Sequence, residues 1–298
     1  MLGSGMNNKI YKQLISPYVT INSCGWNSFA KKKILFIGGH ENYPSVQIRC
    51  IQIAIALDCP YLLGKIEIEN IPSEVKVLVL IKPQFGSQEL EILSKRFILI
   101  WDLHDWIPEK VDFFHTVIFS TQHASNTFDY QGNKWIIPHH HCNFKSVRAN
   151  PKDKTLLWVG REHWKPNLDT LNIKYVNVKN IDIIKLIELL QNSYIGINFR
   201  GKKLDTDDHI KINPGVKAIN FMGFGVPSLS PQNEPAYQEW GSDGTIYCAE
   251  VELIRFVQKL LDDKEYYKKW SNKAFLKGKE FHIDKISNLY SSKILEIL

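Results

Sequence analysis

Lys211-Ile-Asn-Pro-Gly-Val-Lys-Ala-Ile-Asn-Phe-Met-Gly-Phe-Gly-Val-Pro-Ser-Leu229 is the stretch on which the reading of this chain turns. Pro214 suits the first turn of a helix, where a missing N–H breaks no internal bond. Gly225 ends that helix, and residues 226–229 read as a short strand. A helix start presents unbonded N–H groups and the positive end of its dipole, a seat for phosphate, and Lys217 adds a charge one turn in. The stretch therefore predicts an anion-binding loop, helix and strand within an α/β fold.

The same alternation extends in both directions. Upstream, residues 34–37 are a short apolar run closed by Gly38 and Gly39, as suits a buried parallel strand. Further strand-length runs lie at 61–63, 75–81, 97–101, 117–120 and 135–137. Ser45 is placed to cap a helix with Val46, Ile48, Ile51, Ile53, Ala54 and Leu57 on its buried face. Residues 87–94 predict another helix, and the polar stretch 143–154, with Asn150-Pro151, reads as a linker. Downstream come strands at 156–159, 175–178, 194–199, 226–229 and 244–248, and helices from about Pro166 and over 182–191, 251–262, 264–277 and 283–298. Strands alternating with helices imply parallel sheets covered on both faces, with ligands beyond the carboxyl ends of the strands.

At 298 residues the chain can form one large domain or two, and its 44% apolar and 12% aromatic content excludes global disorder. A formal charge of +6 leans only slightly toward anionic partners. The five cysteines, Cys24, Cys50, Cys59, Cys142 and Cys248, form no C-x-x-C pair, which fits a reducing compartment. No apolar run reaches the roughly 18–20 residues of a membrane span, and no signal-peptide core is visible. Met1-Leu-Gly-Ser-Gly, ahead of Met6, reads as a vector-derived leader. The expected location is cytoplasmic.

These motifs resemble GT-B glycosyltransferases of the group 1 kind, whose C-terminal domain carries a run of the form P-x-x-K/E-x-x-E-A-M-A-x-G-x-P. Pro214, Lys217, Met222, Gly225, Val226 and Pro227 match it, followed by Gln232-Asn-Glu-Pro-Ala-Tyr-Gln-Glu-Trp-Gly241. Lys31-Lys-Lys-Ile-Leu-Phe-Ile-Gly-Gly39 resembles the opening strand and turn of the first domain, and Lys134-Trp-Ile-Ile-Pro138 its last strand. Leu156-Leu-Trp-Val-Gly-Arg161 resembles the first strand of the second domain. Asn220 departs from the pattern, standing where many relatives have a glutamate that binds the nucleotide ribose. The resemblance implies two Rossmann-like domains facing across a cleft: an acceptor domain over 31–145, after an extension over 1–30, and a nucleotide-sugar domain over 146–298 whose last helix could return to the first. It implies transfer of a sugar from a nucleotide-sugar donor to a glycan or lipid-linked glycan acceptor, of the kind found in bacterial surface polysaccharides. Neither metal cofactor nor nucleic acid is expected.

For the donor, Arg200, Lys211 and Lys217 are the cations expected to face the diphosphate and to stabilise the leaving group. Gly160 and Arg161 border it, and Glu234, with Glu239 as its rival, could grip a ribose or sugar hydroxyl. For the acceptor, Gly39 supplies a permissive turn, His40 or Glu41 could take the hydroxyl proton, and Arg49 could face acidic groups. His104 beside Asp105 is a further candidate acid–base pair, and either aspartate of Trp101-Asp-Leu-His-Asp-Trp106 could equally be a helix cap. Three consecutive histidines diverge, so Pro138-His-His-His-Cys142 predicts no metal site, and His140 is expected to line the cleft on the acceptor side, near the sugar. Asp205-Thr-Asp207-Asp208 contains D-x-D, the alternative that would require a divalent ion. The basic, aromatic segment 264–279 could contact a membrane surface or simply pack on its domain. Two rival functions share the fold: a sugar-nucleotide epimerase, and a noncatalytic nucleotide-sugar-binding or scaffold subunit, to which Asn220 lends weight.

Overall fold

Short apolar runs pair in parallel in both halves of the chain. The computed structural model describes residues 5–104, 111–160, 171, 173–177, 181–199, 214–241 and 243–298. They divide into two units, Met1–His139 with Ile283–Leu298, and His140–His282. The break thus falls after His139, ahead of the expected position near residue 145. The reason is local: Asn220 Oδ1 accepts the Cys142 N–H at 3.0 Å and Asn143 Nδ2 donates to the Gly223 carbonyl at 2.7 Å, fastening residues 140–147 to the second unit.

In the first unit, β1 (Ile34–Gly38), β2 (Tyr61–Leu63), β3 (Val77–Ile81), β4 (Ile98–Asp102), β5 (Thr116–Phe119) and β6 (Asn133–Ile136) form one parallel sheet in the order β2-β1-β3-β4-β5-β6. Every residue of β1 and β3 is buried, as a sheet covered on both faces requires. In the second unit, β7 (Leu156–Gly160), β8 (Ile173–Asn177), β9 (Ile195–Ile197), β10 (Ser228–Pro231) and β11 (Ile246–Cys248) run β11-β10-β9-β7-β8, again all parallel. Both sheets have their first strand flanked by the second and third, so successive connections leave it in opposite directions. In such sheets ligands bind beyond the carboxyl ends at that point of reversal, here β1/β3 and β7/β9.

Strand β10 starts at Ser228, two residues beyond the expected Val226. Gly225, at φ 69°, ends the Val216–Phe224 helix with its N–H on the Met222 carbonyl, while the Val226 N–H bonds the Phe221 carbonyl at 2.9 Å. This double closure uses up Val226 as part of the helix stop. The N-terminal extension is not a separate appendage. Tyr11 and Ile15 are buried, and the N–H groups of Thr20 and Asn22 bond Asp284 and Asn288 of the Ile283–Leu295 helix, each at 2.8 Å.

One helix departs from its expected winding. Ser45 is already helical and caps nothing, and Val46–Gln52 is π-helical before Ile53–Leu57 continues as α-helix. The wider turn shifts the buried face: Ile48, expected inside, is half-exposed, while Arg49 is 1% exposed. Its Nε and Nη2 donate to the Asp102 carboxylate at 3.0–3.1 Å, and Nη1 donates to the carbonyls of Ile137 at 3.1 Å and Pro138 at 2.8 Å. Tyr290 donates its hydroxyl to the same carboxylate, its ring centroid 5.1 Å from the guanidinium carbon. Arg49 was expected at the acceptor; it is instead an anchor within the first unit.

Removing one member of a buried charge pair strands the other. Arg49→Ala should therefore lower unfolding free energy by about 3–5 kcal/mol, whereas Arg49→Met with Asp102→Leu should cost clearly less than the two single changes combined. Urea unfolding of the three variants checks this.

Candidate functional site

At the carboxyl end of β1 the chain leaves through Gly38 and Gly39. A Cβ on Gly39 would sit 2.3 Å from the Lys82 carbonyl oxygen, so only glycine lets β1 and β3 release their loops this close together. Lys82 itself, directly after β3, holds a left-handed φ of 48°, which is strained for a side-chain-bearing residue. Its ammonium lies 5.3 Å over the Tyr43 ring, and Tyr43 meets His40 edge-on at 6.1 Å. Gly39, His40, Tyr43 and Lys82 are thus gathered at the reversal point of the first sheet. The sequence reading missed Lys82, since nothing in Ile81-Lys82-Pro83 announces a left-handed lysine.

His40 is exposed, and its Nδ1 accepts the Asn42 N–H at 3.1 Å. That bond puts the neutral ring's proton on Nε2, making the outward nitrogen a donor in this arrangement. Glu41 beside it is half-buried. His104, just past β4, is half-buried and packs at 5.0 Å between ring centroids against His139, which follows β6. Its expected partner Asp105 lies outside the described residues.

In the second unit the helix start expected to hold phosphate begins at Gly215, which takes φ 65° and offers no side-chain cap to the Val216–Phe224 helix. Gly215 packs against the Ala236 backbone, 3.4 Å from where a Cβ would lie. This sets the helix start beside the Pro235–Gly241 helix, ahead of which Glu234 is 6% exposed. Lys217 is half-buried, with its ammonium 4.5 Å over the Trp158 ring. The same ring occupies the space over Gly160, where a Cβ would meet it at 2.4 Å. Trp158 is in turn fixed by its indole N–H on the Phe199 carbonyl at 2.7 Å and by stacking on Tyr175. The structure therefore brings Lys217 and Gly160 together through Trp158, and Gly215 and Glu234 through Ala236. Arg161, Arg200, Lys211 and Asp205 to Asp208 lie outside the described residues.

Below this site, the Asn198 amide donates to Ser228 at 3.2 Å and Ser230 at 2.8 Å, and both hydroxyls meet Thr245 Oγ1 at 2.8 and 3.0 Å. This buried network ties the residue after β9 to Ser228 and Ser230 of β10 and to the residue ahead of β11, fixing the register of the three strands. The alternating serines of Ser228-Leu-Ser230 were its one visible signal.

The histidines after Pro138 are all buried, so His140 is not an exposed lining residue; its Nδ1 lies 3.1 Å from the His141 carbonyl. His141 Nε2 faces the Gly278 carbonyl at 3.1 Å, while its Nδ1 accepts the Asn143 N–H at 3.2 Å. Burial first, then neighbouring His282 and His140, push its pKa down to about 3. Among the described residues no three His, Cys, Asp or Glu side chains are gathered as a metal ion would need. Burial also pushes the thiols of Cys59, Cys142 and Cys248 up to about 12, and that of Cys50 up as well, leaving them unreactive. Tyr266, Tyr267 and Trp270 of the Lys264–Gly278 helix pack against the core of the second unit. No described helix is long and apolar enough to cross a membrane.

No protein-family model and no curated protein matches the chain. Solved structures do. A glycosyltransferase from Rickettsia africae superimposes with a TM-score of 0.61 at 10% identity, over 90% of this chain and 98% of that one. HepE from Anabaena, crystallised with UDP and glucose, gives 0.59 at 12% identity, over 90% and 100%. The pneumococcal O-GlcNAc transferase GtfA, with UDP and GlcNAc, gives 0.50 at 10% identity, over 74% of this chain and 56% of that one. The chain has the GT-B fold of these glycosyltransferases.

A histidine whose pKa is about 3 when folded and about 6.5 when unfolded binds its proton only on unfolding between those values. Its contribution is complete above pH 6.5 and is lost as pH falls toward 3. Stability should therefore drop by up to about 1.4 kcal/mol per pH unit from this group alone. His141→Gln should flatten that slope in denaturant unfolding compared at pH 7 and pH 5.

Proposed function

We propose that the chain is a glycosyltransferase that takes its sugar from a nucleotide-sugar donor. The observation that carries this is the arrangement at the carboxyl ends of the second sheet. A helix start at Gly215, the Lys217 ammonium over Trp158 beside Gly160, and the buried Glu234 occur on a fold shared with a protein crystallised with UDP and glucose. The helix N–H groups and Lys217 would neutralise the pyrophosphate and stabilise charge on the departing nucleoside diphosphate. Glu234 would take a ribose or sugar hydroxyl. In the first unit, the loop Gly39 to Glu41 with Lys82 would hold the acceptor. Nε2–H of His40 would donate to it, and Glu41 would be the better placed base. We propose catalysis without a metal ion, resting on position and fixed charge, and an acceptor that is a glycan or lipid-linked glycan of a bacterial surface polymer.

Asn220 favours one other reading, a noncatalytic nucleotide-sugar-binding subunit. Its amide oxygen is engaged by the Cys142 N–H, so a position that holds ribose in many relatives serves here to fasten a loop.

Thermal unfolding in the presence of UDP, GDP or CMP, with EDTA or with Mn²⁺, separates these cases. At a hundredfold excess over Kd, one nucleoside diphosphate should stabilise the chain by about 2.7 kcal/mol with EDTA present, and Lys217→Ala should weaken binding about tenfold or more, at least ~1.4 kcal/mol. Stabilisation by none of them sinks the donor assignment, and dependence on Mn²⁺ sinks the metal-free mechanism. A bound UDP-sugar that is neither transferred nor hydrolysed supports the noncatalytic subunit.

A further inference from the structure

In a strand, residues two apart share a face, so Gly160 stands beside Trp158 toward the carboxyl end of β7. A larger residue would fill that space: a Cβ at Gly160 would lie 2.4 Å from Cη2 and 2.8 Å from Cζ2 of the indole. Glycine thus lets the buried ring lean along its strand toward the ligand end of the sheet. The indole N–H donates to the Phe199 carbonyl at 2.7 Å. Tyr175, directly opposite Trp158 in the β7/β8 register, stacks on it with ring centroids 5.4 Å apart. The Lys217 ammonium lies 4.5 Å from the centroid of this fixed ring, its nitrogen shielded from solvent.

An indole face attracts a cation more strongly than any other aromatic side chain, and the attraction grows where water is excluded. It accepts hydrogen bonds only weakly, whereas a phosphate oxygen accepts charge-assisted bonds from an ammonium. The four-carbon lysine stem is flexible enough to exchange one partner for the other. The start of the same helix, at Gly215, is where N–H groups and dipole favour phosphate. The indole and a phosphate at the helix start therefore compete for one ammonium.

We propose that Trp158 is the seat of a movable Lys217: the phosphates of a nucleotide draw the ammonium off the indole, and a ligand without phosphate leaves it there. This rests on the donor reading above and adds that the site gives up part of its affinity to select charged ligands. Trp158 is then a positioning residue, acting on the donor through Lys217.

Calorimetric titration with UDP, or with GDP or CMP where UDP does not bind, tests this in a double-mutant cycle. Trp158→Leu should tighten binding about three- to tenfold, within the range of a cation–π contact, and Trp158→Phe should tighten it less. In the Lys217→Ala background neither change should matter. A second measurement leaves the core intact. With 5-fluorotryptophan in place of tryptophan, the ¹⁹F resonance that Trp158→Phe removes should shift in Lys217→Ala. The bound nucleotide should move it toward that same position, and uridine should not. This arm decides the outcome if Trp158→Leu does not fold. Unchanged or weaker binding in Trp158→Leu, an equal effect with and without Lys217, or a Trp158 resonance unmoved by bound nucleotide would overturn the proposal and leave the donor assignment standing. Binding of none of these nucleotides would sink both.

Discussion

An arginine cannot shed its charge, so burying Arg49 obliges the first unit to build a shell around it. Asp102 arrives at the end of β4, the carbonyls of Ile137 and Pro138 follow β6, and Tyr290 comes from the last helix. Segments distant in sequence must therefore meet at one point, with little tolerance, since a misplaced carboxylate would leave a desolvated cation behind. The loops that emerge just above this point carry His40, His104 and His139. A register error in the sheet would cost the ion pair and the placement of those side chains together.

Much of the architecture was legible because fully buried parallel strands are short apolar runs punctuated by glycine and polar residues. The runs at 34–37, 61–63, 75–81 and 97–101 became β1 to β4 with shifts of at most two residues at either end. What escaped was set by geometry that leaves no trace in composition. Helical spacing assumes 3.6 residues per turn, and the π-helical winding of Val46–Gln52 turns Ile48 partly outward and Arg49 inward. A lone arginine among apolar residues reads as exposed unless its partners are known, and these lie 53 to 89 positions away within the sheet region. The stop at Gly225 was visible; that it would consume Val226 as well was not.

In the second unit the helix start and its lysine are visible in the sequence, and what holds them is not. Trp158 looked like strand filling, yet its ring lies between Lys217 and Gly160 and is itself pinned by Phe199 and Tyr175. Asn220 marked a departure from the GT-B pattern, and the fold explains its use: its amide and that of Asn143 replace solvent along a loop that would otherwise bury bare peptide groups. His141 serves the same loop, and Gly223 must be small because a Cβ there would strike the imidazole at 2.4 Å. Residues that resemble a metal cluster in one dimension are thus spread into separate structural duties in three.

The path of the backbone between the two units has a consequence for how the protein is made. The second unit is one uninterrupted length, His140–His282, whereas the first is completed by Ile283–Leu298. On the ribosome, the earlier-synthesised half must therefore wait for the later one: Asp102 and Arg49 are in place long before the phenol of Tyr290 can close over them. During that interval the groove meant for the final helix, with Ile53, Ala54 and Leu57 among its lining, stands open. The second unit, with all its strands in hand, can settle first.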